Sequence, residues 1–189
     1  RERSILMTMF RWALMGMVLV LVGCNAVKDQ RPMVLSTTGM IHDLVQQVGK
    51  DHVQSVGLMG PGVDPHLYRA SAGDVQALST ADLILYNGLH LEAKMVGLFK
   101  DLAHTIPVVP VTQGIEKDAL IQPPDYDGFY DPHVWFDVTL WQQALDTVTE
   151  ALIKLDPDHA KDYTKNANAY RDALVTLDAW VRQQVATIP

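Results

Sequence analysis

Apolar residues along this chain occur either in short continuous runs or in longer segments where they recur every three or four positions. The continuous runs predict strands at 33–36, 53–59, 83–86 and 107–111, of the kind that a parallel sheet buries on both faces. Periodic segments separate the runs, including one at 91–103 between the last two strands. We therefore predict an α/β fold, in which a parallel four-stranded sheet lobe is flanked by helices.

Polar residues at the ends of the first two periodic segments predict where these helices begin and end. Thr37 or Thr38 is expected to cap the first helix, and Gly49 fits its C-terminus. The second helix is expected to start after Ser71, whose hydroxyl can cap it, while Asp74 interacts favourably with the helix dipole. Three apolar residues are expected to form the inner face of this second helix: Val75, Leu78 and Ala81.

The last third of the chain is predicted to be mostly helical, after a polar loop at 112–130. Asp137 is expected to cap a helix that reaches Leu155. Asp156 and Pro157 fit the N-cap and first position of a long linking helix of about 30 residues, roughly 45 Å in length. Eight residues step along it by three and four as one apolar stripe: Ala160, Tyr163, Ala167, Tyr170, Leu174, Leu177, Val181 and Val185.

The overall composition is typical of a globular protein. Of the 189 residues 48% are hydrophobic and 20% charged, so neither disorder nor a fibre is indicated. Fifteen Lys and Arg stand against 22 Asp and Glu, for a net charge of -7. Because binding to nucleic acid phosphates needs a basic face, nucleic acid is excluded as the expected partner.

The N-terminal segment has the pattern of an export signal. Three arginines within the first eleven residues precede the apolar run 12–22, which is too short to span a bilayer comfortably. Cys24, the only cysteine, follows in a context that resembles the lipobox of bacterial lipoproteins. We predict a signal peptide at 1–23, a lipidated tether at 24–32 and a location in the periplasm or on the outer cell surface. A signal peptide followed by a chance cysteine, and an uncleaved anchor, are the alternatives.

The tripeptide Asp-Pro-His occurs twice, and each copy follows a predicted strand and precedes a predicted helix. Because such loops gather at the carboxyl edge of a parallel sheet, His66 and His133 are expected to lie together. Proline stiffens the backbone that presents each imidazole, and imidazole binds zinc, manganese and related ions. Asp64 and Asp131 could orient the two rings, with His90 as a neighbour. Two unrelated turn histidines are the alternative.

The other four histidines are expected to lie at the surface, because they occupy helix flanks or the ends of elements. They are His42, His52, His104 and His159.

Two longer stretches resemble a known family. They are GPGVDPHLYRASAGDVQALSTADLILYNGLHLE at 60–92 and YDPHVWFDVTLWQQAL at 130–145, and the predicted helix after Asp156 and Pro157 follows them. Their order and spacing resemble those of the cluster A-I, or TroA-like, substrate-binding proteins of zinc and manganese ABC transporters. This resemblance covers nearly all of the chain after the predicted signal.

The resemblance implies a lipid-anchored receptor with two α/β lobes, a long helix between them and a metal in the cleft. By position, His66 and His133 would be the ligands from the N-terminal lobe, and a His or Glu and an acidic residue from a second lobe would complete the site. The expected division is an N-terminal lobe at 33–155 and an inter-lobe helix at 156–187, with the second lobe absent from this chain.

The function that follows is capture of a divalent Mn or Zn ion for an ABC permease, by a monomer without enzymatic activity. The loop at 112–130 lacks histidine, which favours manganese or mixed zinc and manganese use. A metal-dependent hydrolase, with Glu92 or Asp131 as general base, is one alternative. A surface lipoprotein adhesin is the other.

Overall fold

The computed structural model describes residues 29–124 and 128–188. The predicted signal peptide at 1–23 and the predicted lipidation site, Cys24, lie outside the described residues. Within the described part of the chain, no helix is both long enough and apolar enough to cross a membrane.

A four-stranded parallel sheet forms the centre of the fold. Its strands are β1 (Met33–Ser36), β2 (Gln54–Gly57), β3 (Leu83–Tyr86) and β4 (Val108–Pro110), arranged in the order β2-β1-β3-β4. The predicted parallel sheet is therefore confirmed. β2 and β4 are shorter than predicted, because β2 pairs only with the four residues of β1 and β4 only with three residues of β3.

Within the described residues, five helices flank the sheet or pack on the helices that do. α1 (Gly39–Gly49) and α4 (Val138–Leu155) share one hydrophobic core with the sheet, and α5 (Ala160–Val185) packs against both of these helices. α2 (Ala72–Ser79) and α3 (Val96–Leu102) contribute to a second core on the other face. The flanking helices and the long C-terminal helix agree with the predicted fold class.

The alternation of side chains along the strands explains the two cores. Val34, Leu83 and Leu85 belong to the core beneath α1 and α4, whereas Leu35 and Ile84 belong to the core beneath α2 and α3. All five are at most 1% exposed. Successive side chains point to opposite faces of a strand, so a strand buried on both faces must be apolar throughout.

A side chain caps α2 as predicted, whereas no side chain caps α1. At α2, the Ser71 hydroxyl accepts from the backbone N–H of Asp74 (3.3 Å), and the Asp74 carboxylate accepts from the backbone N–H of Ser71 (2.7 Å). This capping box confirms the predicted start. At α1, Thr38 occupies the N-cap position, but its side chain makes no capping hydrogen bond. The Thr37 hydroxyl does not cap α1 either, because it donates to the buried carboxylate of Glu92.

Two predictions for α2 and α3 are wrong in detail. Val75 is 38% exposed and does not belong to the inner face of α2, whereas Leu78 and Ala81 are buried as predicted. The single helix predicted at 91–103 is a 3₁₀ turn, Ala93–Met95, followed by α3. A tight left-handed loop precedes this turn and delays the start of regular helix.

The long C-terminal helix is 26 residues long, or about 39 Å at 1.5 Å per residue. The 3₁₀ turn Pro157–His159 precedes it, so regular helix begins later than predicted. Only part of its predicted apolar stripe is covered by the described residues. Tyr163, Ala167 and Leu174 are buried, whereas Leu177 is 44% exposed and Val185 is 58% exposed.

Replacing Asp137, the N-cap of α4, with alanine is expected to lower the free energy of unfolding by about 1 kcal/mol. The Asp137 carboxylate accepts from the backbone N–H groups of Thr139 (2.8 Å) and Leu140 (3.3 Å). Hydrogen bonds from Thr139 hold the pKa of Asp137 below its usual range. Its contribution to stability is therefore present above the unfolded-state pKa and is lost as pH falls through the lowered folded pKa. Chemical denaturation at pH 7 and at successively lower pH measures both effects.

Two variants control for this substitution. Asp137→Asn keeps a capping acceptor and should retain most of the stability. Asp172→Ala makes the same change at an exposed position within α5 and should alter stability little. Equal stability of Asp137→Ala and the unchanged chain at pH 7 would contradict a stabilising role for this cap.

Candidate metal centre

The loop that carries His66 connects β2 to α2 and is held by polar contacts of its own residues. The Asp64 carboxylate accepts from the backbone N–H of His66 (2.9 Å). Two residues further on, the Tyr68 hydroxyl donates to the Asp74 carboxylate that caps α2 (2.8 Å). Burial, together with this bond, raises the pKa of Tyr68 to about 12, so the phenol remains a donor at neutral pH. The loop is therefore attached directly to the start of α2.

The loop that carries His133 precedes α4 and is held more tightly. One Asp131 carboxylate oxygen accepts from the backbone N–H of His133 (3.0 Å) and also contacts its ring Nδ1 (2.6 Å). The backbone N–H of Asp131 donates to the carbonyl of Ile121 (2.8 Å). The Asn87 side chain donates to the carbonyl of Pro132 (3.0 Å). Each residue of this Asp-Pro-His copy thus has a partner elsewhere in the lobe or within the tripeptide.

The two loops bring His66 and His133 into direct contact. Their Nε2 atoms are 3.1 Å apart, and the ring centroids are 5.2 Å apart at an interplanar angle of 53°. Two imidazoles that bind one tetrahedral zinc ion at 2.0–2.1 Å have nitrogens about 3.3 Å apart. The observed separation is close to this value, so both Nε2 atoms could bind the same ion after a small movement.

Asp131 determines which ring nitrogen of His133 is free to bind a metal. The backbone N–H of His133 is the largest influence that holds the pKa of Asp131 below its usual range, and the His133 ring acts in the same direction. An ionised carboxylate only accepts, so His133 Nδ1 must carry the hydrogen that lies between them. Nε2 then keeps its lone pair on the side that faces His66, which is the arrangement of metal-binding histidines. Asp64 makes no such contact with the ring of His66.

His90 makes its ring contact with Phe129, and not with His66 or His133. It is exposed, with a left-handed φ of 65°, and its ring packs edge-to-face against Phe129 with centroids 4.3 Å apart. Its predicted role as a neighbour of the site therefore stays a prediction. Across residues 29–124 and 128–188, no group of three or more His, Cys, Asp or Glu side chains is arranged to hold a metal.

Glu92 is an important residue whose position was not predicted. Its side chain is only 2% exposed. The carboxylate accepts from the Thr37 hydroxyl (2.7 Å) and from the backbone N–H groups of Asn87 (2.7 Å) and Gly88 (3.3 Å). Burial raises its pKa, and these hydrogen bonds oppose that effect. An acidic residue beside apolar neighbours after a buried strand was the only signal in the sequence, and it does not distinguish a buried carboxylate from a solvated one.

The structure also brings together two histidines that were expected to be solvated separately. The rings of His52 and His159 stack with centroids 4.0 Å apart at 25°. His52 Nε2 is 3.2 Å from Asp162, and His159 Nδ1 is 2.7 Å from Asp156. This cluster joins the segment after α1 to the start of α5, so it is a tertiary contact that neither local sequence indicates.

The remaining two histidines differ from each other. His104 is exposed, as predicted. His42 is half-buried, and its Nδ1 lies 2.9 Å from the Ser55 hydroxyl, so it is only partly exposed to solvent. The cause is the packing of α1 across β2.

Known proteins of similar sequence are named for the metals that they bind. The chain is 46% identical over 165 residues to the zinc-binding protein TroA of Treponema pallidum (strain Nichols), covering 87% of this chain and 53% of that protein. It is 43% identical over 161 residues to the manganese-binding lipoprotein MntA of Bacillus subtilis (strain 168), covering 85% and 52%. The chain thus spans about half the length of the curated relatives that it matches.

Solved structures with a similar fold are also named as periplasmic metal-binding proteins. The periplasmic zinc binding protein TroA from Treponema pallidum superposes with a TM-score of 0.81 at 46% identity, over 84% of this chain and 57% of that one. The Mn-bound periplasmic metal binding protein from Candidatus Liberibacter asiaticus gives 0.75 at 31% identity, over 84% and 59%.

A family model covers most of the chain as well. The model described as zinc-uptake complex component A, periplasmic, matches residues 34–189, which include all of the sheet except Met33, both Asp-Pro-His loops and α5. With this match, the chain belongs to the ZnuA family of periplasmic zinc-uptake components.

Proposed function

We propose that the whole protein captures a divalent Mn or Zn ion outside the cytoplasm and delivers it to an ABC permease. The observation that carries this proposal is the convergence of His66 and His133 with their Nε2 atoms 3.1 Å apart. Support comes from the names of relatives, which include a zinc-binding protein, a manganese-binding lipoprotein and a metal ABC transporter substrate-binding lipoprotein of Lactococcus lactis. Cys24 is proposed as the lipid attachment site, which would keep the protein at the membrane.

In this proposal two imidazoles supply half of a four-ligand site, and a second lobe of the whole protein supplies the other half. The division into a lobe at 33–155 and a linking helix at 156–187 is part of the same proposal. The matched relatives are about twice as long as the aligned segment, and the second half of α5 has exposed apolar residues that a further lobe could cover. With two protein ligands from the described residues, this lobe should bind metal more weakly than a closed four-ligand site.

We propose manganese, or both manganese and zinc, as the metal that is captured. Relatives named for zinc and for manganese have similar identities to this chain, and one at 31% identity is an iron-binding protein, YfeA of Yersinia pestis. The absence of histidine from the loop at 112–130 supports manganese or mixed use.

The contacts of the two candidate bases argue against the hydrolase alternative. Glu92 is buried and already accepts three hydrogen bonds, so it is not directed at a water bound to the metal. Asp131 accepts from the ring and backbone of His133. A general base needs an oxygen within reach of the water that it activates. We therefore propose capture of the metal without catalytic turnover.

Replacing either His66 or His133 with alanine is expected to reduce Zn²⁺ and Mn²⁺ affinity by more than about tenfold, because each removes one of two converging ligands. Isothermal calorimetry on the purified chain measures the change. His104→Ala is the matched control, since His104 is exposed and lies on another loop. Unchanged affinity in both His66→Ala and His133→Ala would refute the proposed site.

Replacing Asp131 with asparagine is expected to weaken Zn²⁺ binding about tenfold, because the amide cannot hold His133 Nδ1–H as a carboxylate does. Asp64→Asn is the matched control, since the Asp64 carboxylate accepts only a backbone N–H in the same tripeptide context. Its effect should be smaller. Equal losses in the two variants, measured by the same titration, would show that ring orientation by Asp131 is unimportant.

The zinc-loaded protein is expected not to hydrolyse activated carboxylic esters or phosphate esters, because neither Glu92 nor Asp131 is free to act as a base. Spectrophotometric assays of both ester classes measure this. His66→Ala serves as the control for contaminating activity. Turnover that disappears in His66→Ala would favour the hydrolase over the receptor.

A further inference from the structure

The buried Glu92 carboxylate lies at the strand edge from which both Asp-Pro-His loops extend. One of its oxygens accepts from the Thr37 hydroxyl, directly after β1, and from the backbone N–H of Asn87, directly after β3. The other accepts from the backbone N–H of Gly88. Removing a carboxylate from water is costly unless its oxygens are hydrogen-bonded, and here three donors stabilise it. Glu92 therefore joins the ends of β1 and β3.

From β3 the contacts continue to His133. The Asn87 side chain is 1% exposed, and its NH₂ group donates to the carbonyls of Gly88 (3.1 Å) and Pro132 (3.0 Å). Both partners are carbonyl oxygens, which only accept, so the amide can have only this orientation. Pro132 is the residue immediately before His133. The Asn87 amide thus restrains the backbone that presents the second imidazole.

On the other side, the contacts reach the loop of His66. The Thr37 carbonyl accepts from the backbone N–H of Met59 (3.0 Å), where the chain leaves β2 to form that loop. The same Thr37 donates its hydroxyl to Glu92 (2.7 Å). Glu92 is therefore connected to both histidine loops, through Thr37 on one side and through Asn87 on the other.

The backbone between Asn87 and Glu92 is strained, which indicates that the surrounding contacts hold it in place. Gly88, Leu89 and His90 have φ values of 86°, 50° and 65° in succession. Left-handed φ is unfavourable for leucine, and such strain persists only where neighbouring contacts enforce it. A Cβ at Gly88 would lie 2.8 Å from the Thr112 hydroxyl, so only glycine permits this close approach.

We propose that Asn87 and Glu92 are positioning residues that set the distance between the two histidines. Neither side chain touches the metal in this proposal. Glu92 holds the backbone after β3, and Asn87 transmits that position to Pro132 and so to His133. This inference rests on the proposed function, because it concerns the geometry of the same metal pair.

A shared metal ion requires accurate placement of both histidine rings, which these hydrogen bonds would provide. Two ring nitrogens can share one ion only if each lies at its bonding distance, and sites are usually held to within about 0.5 Å. His66 lies on an exposed loop, whereas Pro132, which the Asn87 amide holds, is buried. Loss of the hydrogen bond from Asn87 to Pro132 would therefore free the backbone that presents His133, the more firmly held of the two histidines.

Asn87→Ala and Glu92→Gln are expected to weaken Zn²⁺ binding to the chain about tenfold, a typical loss for groups that orient a metal ligand. Asn87→Ala removes the donor to Pro132. Glu92→Gln places an amide N–H against donors from Thr37, Asn87 or Gly88. Thr37→Val is a milder variant, since it removes one donor and leaves the two backbone donors, and it should cause a smaller loss. Titration with Zn²⁺ alone, alongside thermal unfolding, measures affinity and stability separately.

Tyr170→Phe is the matched control. The Tyr170 hydroxyl donates to the Asp43 carboxylate (2.6 Å) and joins α5 to α1, so the variant removes a hydroxyl–carboxylate bond like that between Thr37 and Glu92. It should lower stability without changing Zn²⁺ affinity. Zn²⁺ affinity that falls as much in Tyr170→Phe as in Thr37→Val would overturn the proposal, because general destabilisation would then account for both.

A second readout separates positioning of His133 from a general structural effect. In a His133→Ala background, Asn87→Ala should cause no further change in the weak Zn²⁺-induced shifts of the His66 ring measured by NMR. A further loss in that background would overturn the proposal. If His66→Ala and His133→Ala reduce affinity but folded Asn87→Ala, Glu92→Gln and Thr37→Val do not, the positioning role fails and the proposed function stands. If the histidine variants themselves retain affinity, the proposed function fails first.

Discussion

The parallel hydrogen-bond register of the central strands is the constraint on which the candidate site depends. Ser36, the last residue of β1, pairs with Gly57 of β2 and with Leu85 of β3, so these three strands end at nearly the same level. The chain segments that follow them must therefore begin side by side. The loop to His66 follows β2, and the strained turn that ends at Glu92 follows β3.

Burial of polar groups at this edge then distinguishes the two histidine loops. The His133 ring contacts the Asp131 carboxylate, and the carbonyl of Pro132 accepts from the buried Asn87 amide. The His66 loop has no such support: apart from the ring contact with His133, the backbone N–H of His66 donates to Asp64, and His66 is exposed. Because polar groups in the interior must be hydrogen-bonded, the His133 side is expected to be the more rigid one. In the proposed metal site, His133 would thus be held in place while His66 adjusts to an arriving ion.

The long helix α5 shows a similar contrast along its length. Its first half is anchored by buried Tyr163 and by polar contacts from Asn166 to the Val48 carbonyl and from Tyr170 to Asp43. Its second half has exposed apolar residues, among them Trp180 at 57%. The first half is therefore an integral part of the lobe. The polar contacts of Asn166 and Tyr170 fix the direction of α5 relative to α1.

Local patterns in the sequence predicted most of the elements and the meeting of the two histidine loops. β1 and β3, the cap at Ser71 and the helix from Asp137 to Leu155 were predicted correctly, because each depends on neighbours within a few residues. The convergence of the two Asp-Pro-His copies followed from parallel topology alone. The start of regular helix in α5 and the inner face of α2 were less accurate, because distant packing decides them.

The sequence by itself determined the fold class, the two histidines that meet and the family to which the chain belongs, since apolar periodicity and short motifs are local properties. Only the tertiary structure decided that Glu92 is buried and that Thr37 binds it instead of capping α1. It likewise decided that Asn87 holds Pro132 and that His52 stacks on His159. The physical reason is that a hydrogen bond or ring contact between residues far apart in the chain depends on which elements pack together. The spacing of apolar residues along the sequence does not indicate that packing.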